Sequence, residues 1–199
     1  MKNTIVPIDV VMAGTYYVLD DTALKGYHIK NTEDDCFFYK NIMLENGAVF
    51  TLSYRKEFSY LSAKFSVPKV MCGTNAKELH REDVPKLIST VNNILAGEQL
   101  AADFATFKIS RIELSKNYEC HNAREKINYI DVLKRRTAYR KKSSNYATSA
   151  VLYNKSCRLT VYDKKAEMIA HSDAKYIEAN TDKFLRVEYK VGKAVCGVR

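Results

Sequence analysis

The chain has 199 residues, of which 46% are hydrophobic, and a formal net charge of +9. This hydrophobic share supports a folded core and argues against a wholly disordered chain. No apolar run approaches the roughly 20 residues that span a bilayer, and the N-terminal segment, interrupted by Asp9, is more typical of a first strand than of a signal peptide. The positive charge favours a polyanionic partner, and nucleic acid is the commonest polyanion inside cells.

Sequence motifs exclude several other classes of protein. The five cysteines are odd in number and no two have C-x-x-C spacing, which argues against a disulfide framework and a structural zinc site and favours a reducing, intracellular setting. No G-x-G-x-x-G or G-K-[ST] loop is present, so a dinucleotide-binding fold and an ATPase are not indicated. The four histidines are scattered and form no His-x-His pair.

The N-terminal part of the chain is predicted to consist of strands. Short strands are expected over residues 4–12 and 27–30. Asn46-Gly47 lies between two apolar and aromatic runs, and this dipeptide is typical of a tight β-hairpin turn. The segment "YLSAKFSVPKVM" continues as a further strand, with Pro68 marking its end or an edge.

A helix is predicted over residues 82–96, where apolar residues recur at three- and four-residue spacing. Asp83 is the expected N-cap, and Pro85 lies in the first turn, where a missing N–H costs no hydrogen bond. Gly97 is the expected stop signal.

Strands and helices alternate in the second half. Strands are predicted over 104–118, near 148–163 and over 184–191, and helices over 122–136 and 165–180. This order predicts an α+β fold, a mostly antiparallel sheet with two to three helices packed on one face. The chain shows no internal repeat and no clear linker, so we expect a single domain over residues 1–199.

The densest positive charge lies in "KRRTAYRKK", residues 134–142. Such side chains neutralise phosphates, and an aromatic ring among them can stack on an unpaired base. We predict that this segment contacts DNA or RNA; the alternative is a solvated loop that keeps the protein soluble. The predicted contacts are Lys134, Arg135, Arg136, Tyr139, Arg140, Lys141 and Lys142.

Carboxylates recur on the predicted strands. Arg111 and Glu113 share one face of the long strand, and Arg186 and Glu188 repeat the arrangement on the last one. Glu167 lies beside a third strand. Together the three glutamates could bind Mg²⁺ or Mn²⁺, which prefer oxygen ligands. Arg–Glu ion pairs across a sheet are the alternative.

The segment "SCRLTVYDKKAEM" places a tyrosine, Tyr162, at a strand end before Lys164 and Glu167. The period-2 pattern makes Tyr162 a strand residue, and an ordinary strand aromatic would satisfy that pattern. Tyr153 is an alternative reactive tyrosine, and Tyr146 a weaker one. If residues 148–163 form one regular strand, Tyr153 and Tyr162 point to opposite faces, so only one can reach a given site.

Four segments, in order, resemble the replication initiators of filamentous phages, the gene-two endonuclease group, which has relatives among plasmid rolling-circle initiators. Members typically show a strand ending in Ser-Arg-Ile-Asp, then a Tyr-x-Lys-x-x-Glu unit, then a Leu/Val-Arg-x-Glu strand. The likeness covers roughly residues 60 to 192, and this chain has Glu113 where the family usually has Asp. The four segments are "YLSAKFSVPKVMCGTN", "FKISRIELSKNY", "SCRLTVYDKKAE" and "FLRVEYKVG".

The resemblance implies metal-dependent nicking and rejoining of one DNA strand at an origin through a 5′-phosphotyrosyl intermediate. The family's tyrosine maps onto Tyr162, its partners onto Lys164 and Glu167, and its acidic sheet positions onto Glu113 and Glu188. The resemblance also implies single-stranded or hairpin origin DNA as the substrate, host helicase and polymerase as partners, and action in the cytoplasm of the host cell. Further DNA contacts are expected from Arg111, Arg158 and Arg186.

Two other functions stay open at this stage. The chain could be a non-enzymatic protein of the same fold that binds an origin or a promoter. It could also be a basic RNA- or ribosome-associated protein, with no metal dependence and no special role for Tyr162. Relatives are usually longer, with a C-terminal region after the last strand, so the chain could be a minimal nicking domain, a truncated piece of a longer protein, or a decayed copy that keeps only the binding function.

Overall fold

The computed structural model describes residues 5–6, 8–32, 35–74, 79–135, 142–154, 157–170 and 181–191. The described chain divides into two compact units, with the boundary between Ile112 and Glu113. Compactness of each unit does not measure whether either folds alone, so the single-domain prediction stays a prediction. The α+β fold with a large antiparallel sheet is confirmed.

Unit 1, up to Ile112, is built on an antiparallel sheet. Its strand order is β3-β4-β5-β6-β2, while β1 pairs separately with β7. The elements are β1 (Ile5–Val6), β2 (Ile8–Tyr16), β3 (His28–Thr32), β4 (Asp35–Met43), β5 (Val49–Arg55), β6 (Tyr60–Ser66), α1 (Val67–Cys72), β7 (Leu79–His80) and α2 (Val84–Gly97). A further strand, β8 (Lys108–Glu119), begins in this unit and ends in the next.

The β4–β5 hairpin forms at Asn46-Gly47, as predicted. Gly47 has φ +81°, a left-handed conformation that disfavours residues with a Cβ atom. The Asn46 carboxamide accepts from the N–H of Ala48 at 3.0 Å. It also donates to the carbonyl oxygens of Lys69 and Val70 at the end of α1, so one side chain ties the turn to a helix terminus.

Pro68 marks the end of a strand, as predicted, but the residues that follow are helical rather than extended. β6 stops at Ser66, and Pro68 lies in the first turn of α1, where its fixed φ suits a helix. Asp83 is the N-cap residue of α2, as predicted, but its side chain makes no capping hydrogen bond to this helix. Residues 81–83 form a 3₁₀ turn, and the Asp83 carboxylate accepts from the N–H of His80 instead.

The core of unit 1 lies between the sheet and α2. Phe50 and Phe65 stack at 4.9 Å between ring centroids, and Val91 and Leu95 of α2 are fully buried in the same cluster. Within the described residues no helix is both long and apolar enough to cross a membrane.

Unit 2, from Glu113, contains the rest of β8 and four further strands, which pair with one another in antiparallel fashion. The order of its strands is β8-β12-β11-β10-β9. Its other elements are α3 (Ala123–Arg135), β9 (Lys142–Tyr146), β10 (Ser149–Tyr153), β11 (Cys157–Asp163), α4 (Lys164–Ala170) and β12 (Phe184–Val191). Residues 171–180, the remainder of the helix predicted over 165–180, lie outside the described residues.

Helix α3 covers one face of the sheet in unit 2. Ile130 of α3 is buried against Ala150, Val161 and Leu185, which come from three neighbouring strands. Side chains alternate between the faces of a strand, so the residues next to these in β10, β11 and β12 point to the other face. We call that other face the polar face, and it carries the candidate site.

Candidate active site

The strand register arranges the polar face in three rows. The first row contains Tyr162, the second Thr160 and the third Arg158, each two residues apart along β11. Directly opposed residues of paired strands share a face, so the members of a row point the same way. The rows, from β10 to β12, are Ser149–Tyr162–Arg186, Val151–Thr160–Glu188 and Tyr153–Arg158–Lys190.

The expectation that Tyr153 and Tyr162 point to opposite faces is wrong. It assumed one strand over 148–163, whereas the chain reverses between β10 and β11, where the Asn154 N–H donates to the Cys157 carbonyl at 2.9 Å. The reversal returns Tyr153 to the face of Tyr162. Tyr153 is opposite Arg158, four residues from Tyr162, so the two tyrosines are about 13 Å apart along the strand.

Tyr162 is held in a hydrogen bond to a carboxylate. Its hydroxyl donates to Glu188 Oε1 at 2.6 Å, and the side chain is only 9% exposed. Burial raises the pKa of Tyr162 well above its ordinary value, and the negative charge of Glu188 raises it further, while Arg186 opposes both effects. The phenol is therefore protonated at neutral pH, and its proton points at Glu188.

Arg186 orients that carboxylate. Its side chain is 2% exposed, and its guanidinium donates from Nε to Glu188 Oε1 at 3.2 Å. The other two nitrogens donate to Asn117 Oδ1 at 3.1 Å and to Ser115 Oγ at 2.7 Å, both on β8. The planar guanidinium thus connects β8 to the tyrosine–glutamate pair through a fixed set of donors.

Lys164 and Glu167 form a second charged pair beside Tyr162. Lys164 is fully buried, its Nζ is 2.6 Å from Glu167 Oε2, and it lies 5.9 Å from the centroid of the Tyr162 ring. Both residues are on α4, which begins at Lys164 and is capped by Asp163, whose carboxylate accepts from the N–H groups of Lys165 and Ala166. The sequence-predicted partners of Tyr162 are therefore close to it.

A buried lysine ties α3 to this end of β11. Lys126 Nζ is 2.7 Å from Asp163 Oδ2 and donates to the carbonyl oxygen of Asp182 at 2.6 Å. Its side chain is 3% exposed, so the ion pair lies in a low-dielectric environment. The pair fixes the residue that follows Tyr162 and starts α4.

Three glutamates were predicted to bind one shared metal ion, and in the structure each of them contacts a positively charged side chain. Glu188 contacts Arg186, Glu167 contacts Lys164, and Glu113 Oε1 is 2.8 Å from Lys190 Nζ. Among the described residues no group of three or more His, Cys, Asp or Glu side chains is gathered as a metal would require. In this arrangement the carboxylates do not fit a shared ion, and the Arg186–Glu188 pair is the ion-pair alternative.

The predicted DNA contacts have different surroundings. Arg135 and Arg158 are exposed, Arg111 is half-buried, and Lys134 Nζ is 3.2 Å from Asp131 Oδ1 and bonded to the carbonyl of Ala147. Arg186 is buried, so in this structure it positions Glu188 rather than facing a ligand. Four members of the basic segment and the side chain of a fifth lie outside the described residues: Arg136, Tyr139, Arg140, Lys141 and Lys142.

Four residues that support the site were not predicted from the sequence. Asn117 and Lys190 continue the alternation of Ser115 and Glu188 by two residues, so the period-2 pattern could have pointed to them. Lys126 and Asp163 could not have been paired from the sequence, because the pairing depends on how α3 packs on the sheet.

Fold and site together define an α+β protein with a buried tyrosine–glutamate pair on the polar face of an antiparallel sheet. The model of a phage family described as the N-terminal region of a replication-associated protein, the gene-two protein, matches residues 19–193. The chain therefore belongs to this family, which confirms the resemblance to filamentous-phage gene-two-type replication initiators. A search of curated proteins finds no match.

Proposed function

We propose that the protein initiates replication by nicking one strand of origin DNA, with Tyr162 as the nucleophile, and later rejoins the strand. The observation that carries the proposal is the 2.6 Å hydrogen bond from the Tyr162 hydroxyl to Glu188. A tyrosine needs a proton acceptor within hydrogen-bond reach before it can attack a phosphodiester at neutral pH. Membership of the replication-associated family supplies the biological setting.

The proposed chemistry begins with proton transfer. Because the pKa of Tyr162 is raised, the attack does not start from a preformed tyrosinate. The proton moves to Glu188 as the phenolic oxygen bonds to phosphorus, and the bond from phosphorus to the 3′ oxygen breaks. The 3′ oxygen leaves with the electron pair and takes a proton from solvent. The 5′ phosphate remains on Tyr162 as a phosphodiester, and attack by a 3′-hydroxyl reverses the sequence and rejoins the strand.

The two buried cations have separate roles in this proposal. Arg186 holds Glu188 with one oxygen toward the Tyr162 hydroxyl, so it is a positioning residue. Lys164 lies on the ring side of Tyr162 and forms an ion pair with Glu167, whose negative charge contributes to the raised pKa of the phenol. Both cations are held in ion pairs with carboxylates of the protein itself, so little reorganisation accompanies the reaction.

Dependence on Mg²⁺ or Mn²⁺ is retained as a separate proposal. Among the described residues Glu113, Glu167 and Glu188 do not gather around one ion, so no step is assigned to a metal. An ion that entered with the DNA phosphates would neutralise charge on the scissile group. Host helicase and polymerase, and action in the host cytoplasm, likewise stay proposals.

The test uses single-stranded origin oligonucleotides labelled at the 5′ or the 3′ end, incubated with protein and Mn²⁺ and separated on denaturing gels. The 3′-labelled fragment should become linked to protein, and Tyr162→Phe should abolish the adduct. Glu188→Gln keeps the hydrogen-bonding shape but removes the base, so adduct formation should slow by about 10²–10⁴-fold. Adduct formation with EDTA in place of Mn²⁺ tests the dependence on a divalent metal separately.

Two results would contradict the assignment. If Tyr153→Phe abolished the adduct and Tyr162→Phe did not, the nicking function would stand with another nucleophile. If no adduct formed on any substrate while salt-sensitive DNA binding persisted, the function would be binding without cleavage. The 9% exposure of Tyr162 favours this second candidate, because a reacting phosphate must reach the hydroxyl.

A further inference from the structure

We infer that unit 2 holds the single-stranded DNA next to the cleaved bond on one row of the polar face. At one register level Tyr153 of β10 pairs with Arg158 of β11, and Arg158 pairs with Lys190 of β12. We call these three residues the basic row; the backbone of Lys142 in β9 continues the same level. The inference rests on the proposed function, because it assigns the substrate of the same site.

The basic row is placed to receive the strand that Tyr162 attacks. It lies on the same face as Tyr162, and Arg158 precedes Tyr162 by four residues of β11. That spacing corresponds to about 13 Å. A strand whose phosphate lies at the Tyr162 hydroxyl therefore reaches the basic row by continuing along β11.

The side chains of this row are available to a ligand. Arg158 is exposed, and within the described part of the chain its guanidinium makes no hydrogen bond or ion pair. Tyr153 is partly exposed, and its hydroxyl forms no hydrogen bond with a described group. Lys190 is 34% exposed and contacts Glu113, which leaves ammonium hydrogens for a second acceptor.

The geometry favours a single strand over a duplex. A tyrosine ring can stack only on a base that is not already stacked within a duplex. The major groove of a duplex is about 12 Å wide and admits a helix or a two-stranded ribbon. Four neighbouring strands at about 4.8 Å spacing measure about 14 Å between the outer strand axes, so the sheet that carries the basic row is too broad to enter it.

In this inference Tyr153 binds the DNA strand and does not act as the nucleophile. At about 13 Å from Tyr162 along the hairpin, it cannot reach the same phosphate. Its position beside Arg158 in the row matches the mixture of aromatic rings and cations that binds unpaired nucleotides.

The experiment measures binding of the full chain to labelled oligo-dT over a series of salt concentrations. All proteins carry Tyr162→Phe, which prevents covalent capture, so binding is read apart from nicking. Tyr153→Ala should weaken binding about tenfold, whereas Tyr153→Phe keeps the ring and should recover most of the lost affinity. Arg158→Gln should also weaken binding and reduce the slope of log affinity against log salt by about 0.7.

Matched controls come from the other side of the sheet. Tyr189 is exposed and is paired with Leu159, which packs in the α3 core, and Arg124 is exposed on α3 itself. Tyr189→Ala and Arg124→Gln change the same groups away from the polar face. Equal affinities for Tyr153→Ala, Arg158→Gln and these controls would overturn the inference.

Other probes identify the ligand class. Tighter binding of the matching duplex, or of oligo-rU, than of oligo-dT would overturn single-stranded DNA as the ligand. The adduct assay tests the proposed function separately from these binding measurements. The proposed function fails if the protein with intact Tyr162 forms no adduct. Loss of oligo-dT affinity in the row variants together with no adduct would support the basic row and reject nicking.

Discussion

At the scale of single residues, the site depends on a charge held inside the protein. Glu188 Oε1 accepts from both Tyr162 and Arg186, so the same oxygen receives a neutral and a charged donor. Arg186 is buried with polar partners at Nε and both terminal nitrogens, which stabilises a cation that would otherwise be costly to bury. The geometry that would activate Tyr162 is therefore supplied by side chains of the protein itself.

The raised pKa of Tyr162 makes the protein sensitive to alkali. Above pH 10 the unfolded chain loses the tyrosine proton while the folded protein retains it, so the free energy of unfolding falls as pH rises. Tyr162→Phe removes this contribution, and we expect its unfolding free energy to fall less steeply above pH 10. Urea unfolding at a series of alkaline pH values measures the effect.

A second tyrosine provides a comparison for that experiment. Burial, with Glu98 nearby, raises the pKa of Tyr27 to about 12. Tyr27→Phe should therefore flatten the decline mainly between pH 10 and 12. Parallel curves for Tyr162→Phe and the unchanged protein would show that the phenol is not held in its protonated form.

At the scale of secondary-structure elements, α3 helps to fix the position of the end of β11 that carries Tyr162. Lys126 reaches from α3 to Asp163 and to the backbone of Asp182, and Asp163 in turn caps α4. One buried lysine thus joins a helix, the end of a strand and the start of the next helix.

Removing Lys126 should destabilise the protein strongly. Lys126→Ala leaves Asp163 without its cation and opens a cavity, so we expect a loss of about 3–5 kcal/mol in the free energy of unfolding. Lys126→Met fills the space of the aliphatic chain and should cost less. Denaturant unfolding followed by circular dichroism measures the free energy of unfolding of both variants. Equal stability of Lys126→Ala and the unchanged protein would show that the Lys126–Asp163 ion pair does not stabilise the fold.

Elements that rest on local patterns were predictable from the sequence. The strand predicted over 184–191 agrees with β12, and the Asn46-Gly47 hairpin is present, because alternation and turn chemistry are local. The break between β10 and β11 was missed, since "LYNKSC" lacks the Asn-Gly signal that marks the first hairpin. The contact of Glu113 with Lys190 was unpredictable because the order of strands arises from tertiary packing.

The sequence predicted which residues belong to the candidate site better than it predicted what each of them does. Tyr162, Lys164, Glu167 and Glu188 were singled out from motifs, and the structure places charged partners around the tyrosine. Their predicted common metal depended on distances between strands, which one sequence does not contain. Arg186 was predicted as a DNA contact, but it is buried, because polar groups of β8 accept its hydrogen bonds.

At the scale of the whole molecule, the net charge of +9 predicts attraction to DNA wherever the charges lie. Attraction alone does not localise a binding surface. The density of positive charge over residues 134–142 predicts that a few of these residues account for much of the salt dependence.

Two double variants separate total charge from local charge. Arg140→Gln with Lys141→Gln should reduce the slope of log affinity for oligo-dT against log salt by about 1.4, which is two contacts at about 0.7 each. Lys25→Gln with Lys30→Gln removes the same charge from exposed positions of unit 1 and should change the slope less. Equal slopes for the two double variants would show that the segment is only a solvated loop.

The reversal between β10 and β11 has a consequence for how such a protein can change over generations. Because side chains alternate, the parity of the residue count between Tyr153 and Arg158 determines which face Tyr153 occupies. Inserting one residue between Tyr153 and Asn154, with the turn and the register of β11 kept, would move Tyr153 opposite Leu159 and send its ring to the α3 side, while Tyr162 stayed in place. The position of Tyr153 and the position of Tyr162 can thus change independently, through a change of one residue in the length of the chain.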